Sequence, residues 1–254
     1  MGISSRSYVR SYSNSNSIPP GVKWLLISNI AVFLVYFLAE RTAFGEFMTT
    51  AFALTPSRVV GEFFIWQFVT YMFLHGGIGH ILFNMLALWM FGSDIERTWG
   101  TERFLQFYFF CGIGAGLCVV VGNYALGNPA IPTIGCSGAI YGILMACAVL
   151  FPDRLVLIAF LFPIKMKYFV AIFGAIAFIQ TFKSSNSGVS DVAHLGGLIF
   201  GYLFLKMPVV RGFNLKNSWN DRYRQWKIQR AKKKFQVYLR KQGAAPRDDD
   251  KWVN

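Results

Sequence analysis

The sequence predicts an all-α polytopic membrane protein, a bundle of six transmembrane helices. Three observations lead there. Hydrophobic residues make up 54% of the 254 and charged residues only 15%, whereas a water-soluble globule carries charge on about a quarter of its residues. Several apolar runs approach the roughly 20 residues needed to cross a bilayer core. Lys and Arg concentrate in alternate connections between those runs, the pattern of the positive-inside bias.

The chain divides into a polar tail (1–21), a membrane domain (22–207) and a basic tail (208–254). The first tail, "MGISSRSYVRSYSNSNSIPPG", is Ser/Asn-rich. No small-residue cleavage site follows the first apolar run, so that run is expected to be retained as a span. Arg6 stands where an amino-terminal myristoylation signal wants Ser or Thr. The six spans are expected at 22–39, 77–92, 104–123, 137–151, 168–182 and 192–207. The run "LVLIAFLF" (155–162) is too short to cross as a helix and is followed by Pro163, Lys165 and Lys167. It reads as an interfacial connector.

Orientation follows from the flanking cations. Arg6, Arg10 and Lys23, then Arg97 and Arg103, then Arg154, Lys165 and Lys167 fall on one side; Arg41, Arg58 and Lys183 fall on the other. Both termini are expected to be cytoplasmic, in a bacterial cytoplasmic membrane. Spans two, four and six then begin on the external side. Their first residues include His80 and Asn84, Ser137, and His194. Four polar groups on three helices therefore share one membrane depth, where polar side chains are costly and usually mark a site.

A serine hydroxyl is a weak nucleophile until a base takes its proton. His194 is the candidate base, because imidazole titrates near neutrality. Close approach of spans four and six needs small residues at four-residue spacing, supplied by Gly138 and Gly142 on one and Gly197 and Gly201 on the other. His80 and Asn84, four residues apart, share a helix face, and their N–H groups can stabilise an oxyanion together with the Ser137 amide at its helix start. Span four is short, about 22 Å at 1.5 Å per residue, and "GNPAIPTIG" before it cannot be regular helix. Such backbone at depth must lie inside protein or beside water, which predicts an outward-opening wet cavity with Ser137 on its floor.

Three motifs in this order, "HILFN" (80–84), "GCSG" (135–138) and "AHLGGLIFG" (193–201), resemble those of the rhomboid family of intramembrane serine proteases over about 22–207. The resemblance implies a Ser137–His194 dyad acting through an acyl-enzyme, with His80, Asn84 and the Ser137 amide around the oxyanion. It also implies that Tyr141 stacks on and orients His194, and that Gly135 admits the substrate backbone. A partly embedded first loop is implied at 40–74, where the family's Trp-Arg pair reads Trp66-Gln67. His75 is assigned a structural hydrogen bond. Asp191, three residues before His194, reads as an N-cap for the last span and stays outside the catalytic set.

The implied partners are transmembrane protein substrates and the bilayer itself. The tail "RGFNLKNSWNDRYRQWKIQRAKKKFQVYLRKQ" (211–242), with Trp219, Tyr223 and Trp226 at helical spacing, suits an anionic lipid surface, and positive-inside bias explains its charge without nucleic acid. No cofactor or metal is implied, and the four cysteines read as small buried hydrophobes. The alternative is a catalytically silent, client-binding relative; such proteins typically lose the serine or the histidine, and both are present here. A small transporter would show paired broken helices in an internal repeat, which this sequence lacks.

Overall fold

The computed structural model describes residues 17–158, 161–183 and 188–207. The readings of the polar tail up to residue 16 and of the basic tail from 208 lie outside the described residues.

Helix α1 (Pro20–Ala39) opens on proline, whose missing N–H costs nothing at that position. It has no side-chain cap of its own. Its first free amides, Gly21 N and Val22 N, donate instead to the buried carboxylate of Glu96 at 2.8 and 2.7 Å. Thr101 Oγ1 donates to the same group at 2.6 Å. A carboxylate at a helix N-terminus meets both the orphan donors and the positive end of the dipole.

The connection after α1 folds into α2 (Ala43–Phe52), α3 (Pro56–Gly61), α4 (Gln67–Thr70) and a 3-10 turn. Gln67, where the family resemblance leads one to expect arginine, is fully buried and ties this loop together. Thr55 N donates to its Oε1 at 2.9 Å, and its Nε2 donates to Thr50 O at 3.0 Å. Trp66 Nε1 donates to Ala51 O beside it. A neutral amide serves because all of its partners, Ala51 O at 3.4 Å included, are backbone groups.

Helix α5 (Ile78–Ala87) passes through one π turn (Leu88–Gly92) into α6 (Ser93–Trp99), forming a continuous apolar helix over Ile78–Trp99. The expected end at residue 92 is overrun, since Gly92 keeps helical dihedrals and no proline follows. Helix α7 (Thr101–Leu126) comes next, then an irregular segment and α8 (Ser137–Leu150). Among the described residues three helices, Pro20–Ala39, Ile78–Trp99 and Thr101–Ala125, are long and apolar enough to cross a membrane; α8 and the apolar Met166–Thr181 are shorter.

The expectation of an all-α chain needs one correction. The run read as a connector contains β1 (Leu155–Ile158), which pairs antiparallel with β2 (Phe162–Lys165), Leu155 opposite Lys165 and Ile158 opposite Phe162. Too few residues to span, Leu155–Ile158 satisfy their backbone by pairing with Phe162–Lys165, of which only Phe162 belongs to that apolar run. Helices α9 (Met166–Lys183) and α10 (Gly188–Lys206) complete the described fold.

The core lies where α10 packs between α7 and α8. Hydrophobic burial drives little in lipid, so close van der Waals packing must hold such helices together. The glycines provide it. A Cβ on Gly197 would overlap the Gly138 carbonyl, and one on Gly201 would lie 2.9 Å from Gly142 Cα. On α8's other side a Cβ on Gly138 would meet Ala115, and one on Gly142 would meet Cys111, both on α7. Backbone touches backbone along the α8–α10 seam.

Candidate active site

Ser137 is the first residue of α8, so its side chain and its unbonded N–H point off the helix N-terminus. The approach to that terminus is fixed from outside the helix. Leu54 and Thr133 exchange two backbone hydrogen bonds of 2.9 Å, and Gly135 N donates to Tyr71 O at 2.9 Å. The irregular 127–136 segment thus finds its partners inside protein, as its prolines require. Gly135 has φ +116°, a conformation closed to side chains, and a Cβ there would sit 2.7 Å from His80 Nε2. What presses against Gly135 is the His80 ring. Sequence reasoning assigns this glycine only to the approach of a substrate backbone.

On α10, His194 Nε2 lies 2.9 Å from Ser137 Oγ. Its Nδ1 is 3.6 Å from Asp191 Oδ1, one helical turn earlier. The carboxylate on that flank favours the proton on Nδ1 and leaves Nε2 to accept from the hydroxyl. Asp191 differs from its expected place. Helix α10 begins at Gly188, so Asp191 lies within the first turn and not at the cap. Its signal in the sequence is the three-residue spacing, which points side chains the same way. Tyr141, one turn after Ser137, stacks on the imidazole with ring centroids 4.2 Å apart and planes 9° from parallel.

His80 and Asn84 reach the same cavity from α5. Gly76 N donates to His80 Nδ1 at 3.4 Å, which leaves the proton on Nε2, the nitrogen beside Gly135. The Asn84 side chain is 7% exposed, and its Nδ2 has no hydrogen-bond partner among the described residues. Behind them His75 is fully buried, its Nε2 3.5 Å from the Cys136 thiol and its ring edge-on to His80 at 5.0 Å. Cys136 is therefore a packing and hydrogen-bonding residue adjacent to the serine. Cys111 and Cys147 are buried elsewhere in the core.

The cavity these groups line holds about 330 Å³ and is completed by Phe83 and Ile134. Spacing alone pointed to neither of these two, because both are ordinary apolar residues. Gly138, Gly142, Gly197 and Gly201 do not line it; they set the distance between the helices that do. Among the described residues no cluster of His, Cys, Asp or Glu could hold a metal ion. One cavity therefore collects a hydroxyl against an imidazole nitrogen and, across from them, the His80 ring and an Asn84 amide nitrogen with no partner among the described residues.

Residues 62–209, more than half of the chain, match the family model described as the Rhomboid domain. Among curated proteins the chain is 33% identical over 172 residues to Rhomboid protease GluP of Bacillus subtilis, a match covering 66% of this chain and 31% of that one. It is 34% identical over 135 residues to Rhomboid protein 1, mitochondrial, of Saccharomyces cerevisiae, covering 52% and 38%. To Rhomboid protease AarA of Providencia stuartii it is 30% identical over 151 residues, 54% of each chain. In each case the match spans little more than half of the relative's length or less. The chain is an integral membrane protein and belongs to the rhomboid family.

Proposed function

We propose that the protein is an intramembrane serine endopeptidase that hydrolyses peptide bonds in or near transmembrane segments of other membrane proteins. The observation that carries this reading is the 2.9 Å contact between Ser137 Oγ and His194 Nε2 on the wall of an open cavity. The names of the relatives support it, three of those curated proteins or their family being rhomboids and two of them named proteases.

Ser137 Oγ attacks the scissile carbonyl carbon while His194 Nε2 takes the hydroxyl proton. The carbonyl oxygen becomes an oxyanion facing the His80 Nε2–H, an Asn84 Nδ2–H and the Ser137 N–H. Collapse breaks the C–N bond, and His194 returns its proton to the leaving amine. The acyl group now sits on Ser137 as an ester. Water, deprotonated by His194, attacks that ester, releases the acid and restores the serine. Tyr141 holds the imidazole plane throughout, and the glycine seam holds hydroxyl and ring in reach before substrate arrives.

The same reading assigns six crossings, both termini to the cytoplasm of a bacterial cell, and a first loop partly sunk in the outer leaflet. It places Ser137 below the membrane surface: α8 has 14 residues, about 21 Å of helix in a hydrocarbon core of about 30 Å. A substrate helix must unwind locally to present its carbonyl there.

The test is cleavage of a transmembrane substrate by the purified protein in proteoliposomes, with a serine-directed fluorophosphonate probe alongside. The reading expects cleavage and labelling to vanish together in Ser137→Ala while thermal unfolding is unchanged. Cleavage retained in Ser137→Ala overturns it.

A further inference from the structure

The β1–β2 hairpin joins α8, which carries Ser137, to α9, and nothing in the catalytic reading uses it. Its two faces differ. Val156 is buried and Ile164 half-buried, facing inward on the side where the strands pack against α9. The other face and the tip present Leu155, Leu157, Leu161 and Phe162, the last two 72% and 69% exposed. Strand alternation sets Leu155 and Leu157 on the face opposite Val156, while Phe162, on the same face as Ile164, is exposed by its place at the tip.

The stem of the hairpin is charged. Lys165 and Lys167 both reach Asp153, at 3.2 and 3.0 Å, and Arg154 pairs with Asp94 at the π-turn end of α6. Arg97 lies on that same Asp94, 3.9 Å away. Four cations against two carboxylates leave this end of the bundle with a net positive charge. Tyr168, 55% exposed, stands directly after the stem with the Lys167 ammonium over its ring at 5.3 Å. Cations, an exposed tyrosine and large apolar side chains in this order are what a headgroup–acyl boundary selects. Water would penalise the tip; a partner protein would have to match its cations as well.

We propose that the β1–β2 hairpin is a membrane-interface anchor, its Leu161–Phe162 tip seated at the headgroup–acyl boundary of an anionic leaflet, and that it sets the depth of α8. The occupant of this face is phospholipid. Because β1 follows α8 after only four residues, a hairpin held at one surface fixes where the helix stops. The far end of that helix is Ser137, so the anchor also sets how deep in the bilayer a substrate is cut. Only this last consequence rests on the proposed protease activity.

The experiment uses the full chain in vesicles of phosphatidylcholine with a minority of phosphatidylglycerol, and requires no catalysis. Leu161→Cys carries an environment-sensitive NBD fluorophore, with Asp153→Cys as the headgroup-level control and the unsubstituted protein as background for its own thiols. The anchor expects the Leu161 label to be quenched several-fold more by shallow doxyl lipids than by aqueous iodide, and the Asp153 label to show the reverse. Iodide quenching at both positions, or thiol cross-linking of Leu161→Cys between two copies, overturns it. A second label at Val149→Cys, half-exposed and next to the last residue of α8, reports that helix's depth. Combining Leu161→Asp with Phe162→Asp is expected to shift it by at least one residue's rise, about 1.5 Å; an unmoved label overturns the depth-setting role. Absence of cleavage by the unsubstituted protein, with the labels placed as expected, would count against the protease reading alone.

Discussion

The two walls of the cavity are built differently. On one, α8 and α10 touch through glycine backbone, and hydroxyl, imidazole and phenol ring are already in contact at 2.9 and 4.2 Å. On the other, α5 brings His80, held by one 3.4 Å hydrogen bond, and Asn84, whose amide N–H groups bond to nothing described. A buried unpaired donor costs about 1–3 kcal/mol. The first wall is finished in the resting protein; on the proposed reading the second recovers its cost when an acceptor such as an oxyanion arrives. That is the pattern of transition-state complementarity, in which binding improves as the reaction proceeds.

The largest effect expected of any substitution is on the finished wall. Ser137→Ala or His194→Ala should each lower the cleavage rate by about 10⁴-fold or more, and the double variant should lose little further, as for residues acting as a unit. Steady-state rates on one substrate check this; additive losses would break the pairing of the two. Next comes Gly197→Val, which drives a side chain into the Gly138 backbone. Neither backbone can yield, so a loss of at least about 1–3 kcal/mol is expected, read as a lower unfolding temperature with probe labelling lost in parallel.

The open wall should respond in the opposite sense. Asn84→Ala is expected to cut kcat by about 10²-fold with KM little changed, yet leave the unfolding temperature equal or higher, because it deletes an unpaired donor. A destabilised Asn84→Ala would mean the amide already has a partner, and the contrast between walls would fail. The smallest effect belongs to Asp191→Asn. The carboxylate is 3.6 Å from His194 Nδ1, beyond a good hydrogen bond. A rate loss of tenfold or less is expected, about 1.4 kcal/mol on the barrier; a much larger loss would promote Asp191 to a full partner of the histidine.

The meeting of Ser137, His194, His80 and Asn84 was legible because each stands in the first two turns of an apolar helix, so helix order brings them to one end. The α8–α10 glycines were legible for a similar reason: three- and four-residue spacing is a local property that survives folding. What escaped is non-local or conformational. The contact of His80 with Gly135 depends on a positive φ and on a loop held by Leu54 and Tyr71, far away in the chain. Gln67 replaces an expected arginine, and only its buried backbone partners show why a neutral amide suffices. The hairpin escaped because eight apolar residues fit a buried helix, a connector or a strand pair equally well, and only pairing with 162–165 decides.

The π turn at Leu88–Gly92 has a consequence for deletions. Such a turn accommodates one residue more than regular winding, and each residue turns a helix by about 100°. Upstream of it the helix aims His80 and Asn84 at the cavity; downstream it aims Glu96 at the first amides of α1. Removing a single residue between 88 and 92 would return the stretch to regular winding with both contacts still in line, whereas inserting one would swing one of these groups roughly a quarter-turn away. Lineages that keep both contacts should therefore lose one residue from this turn far more readily than gain one.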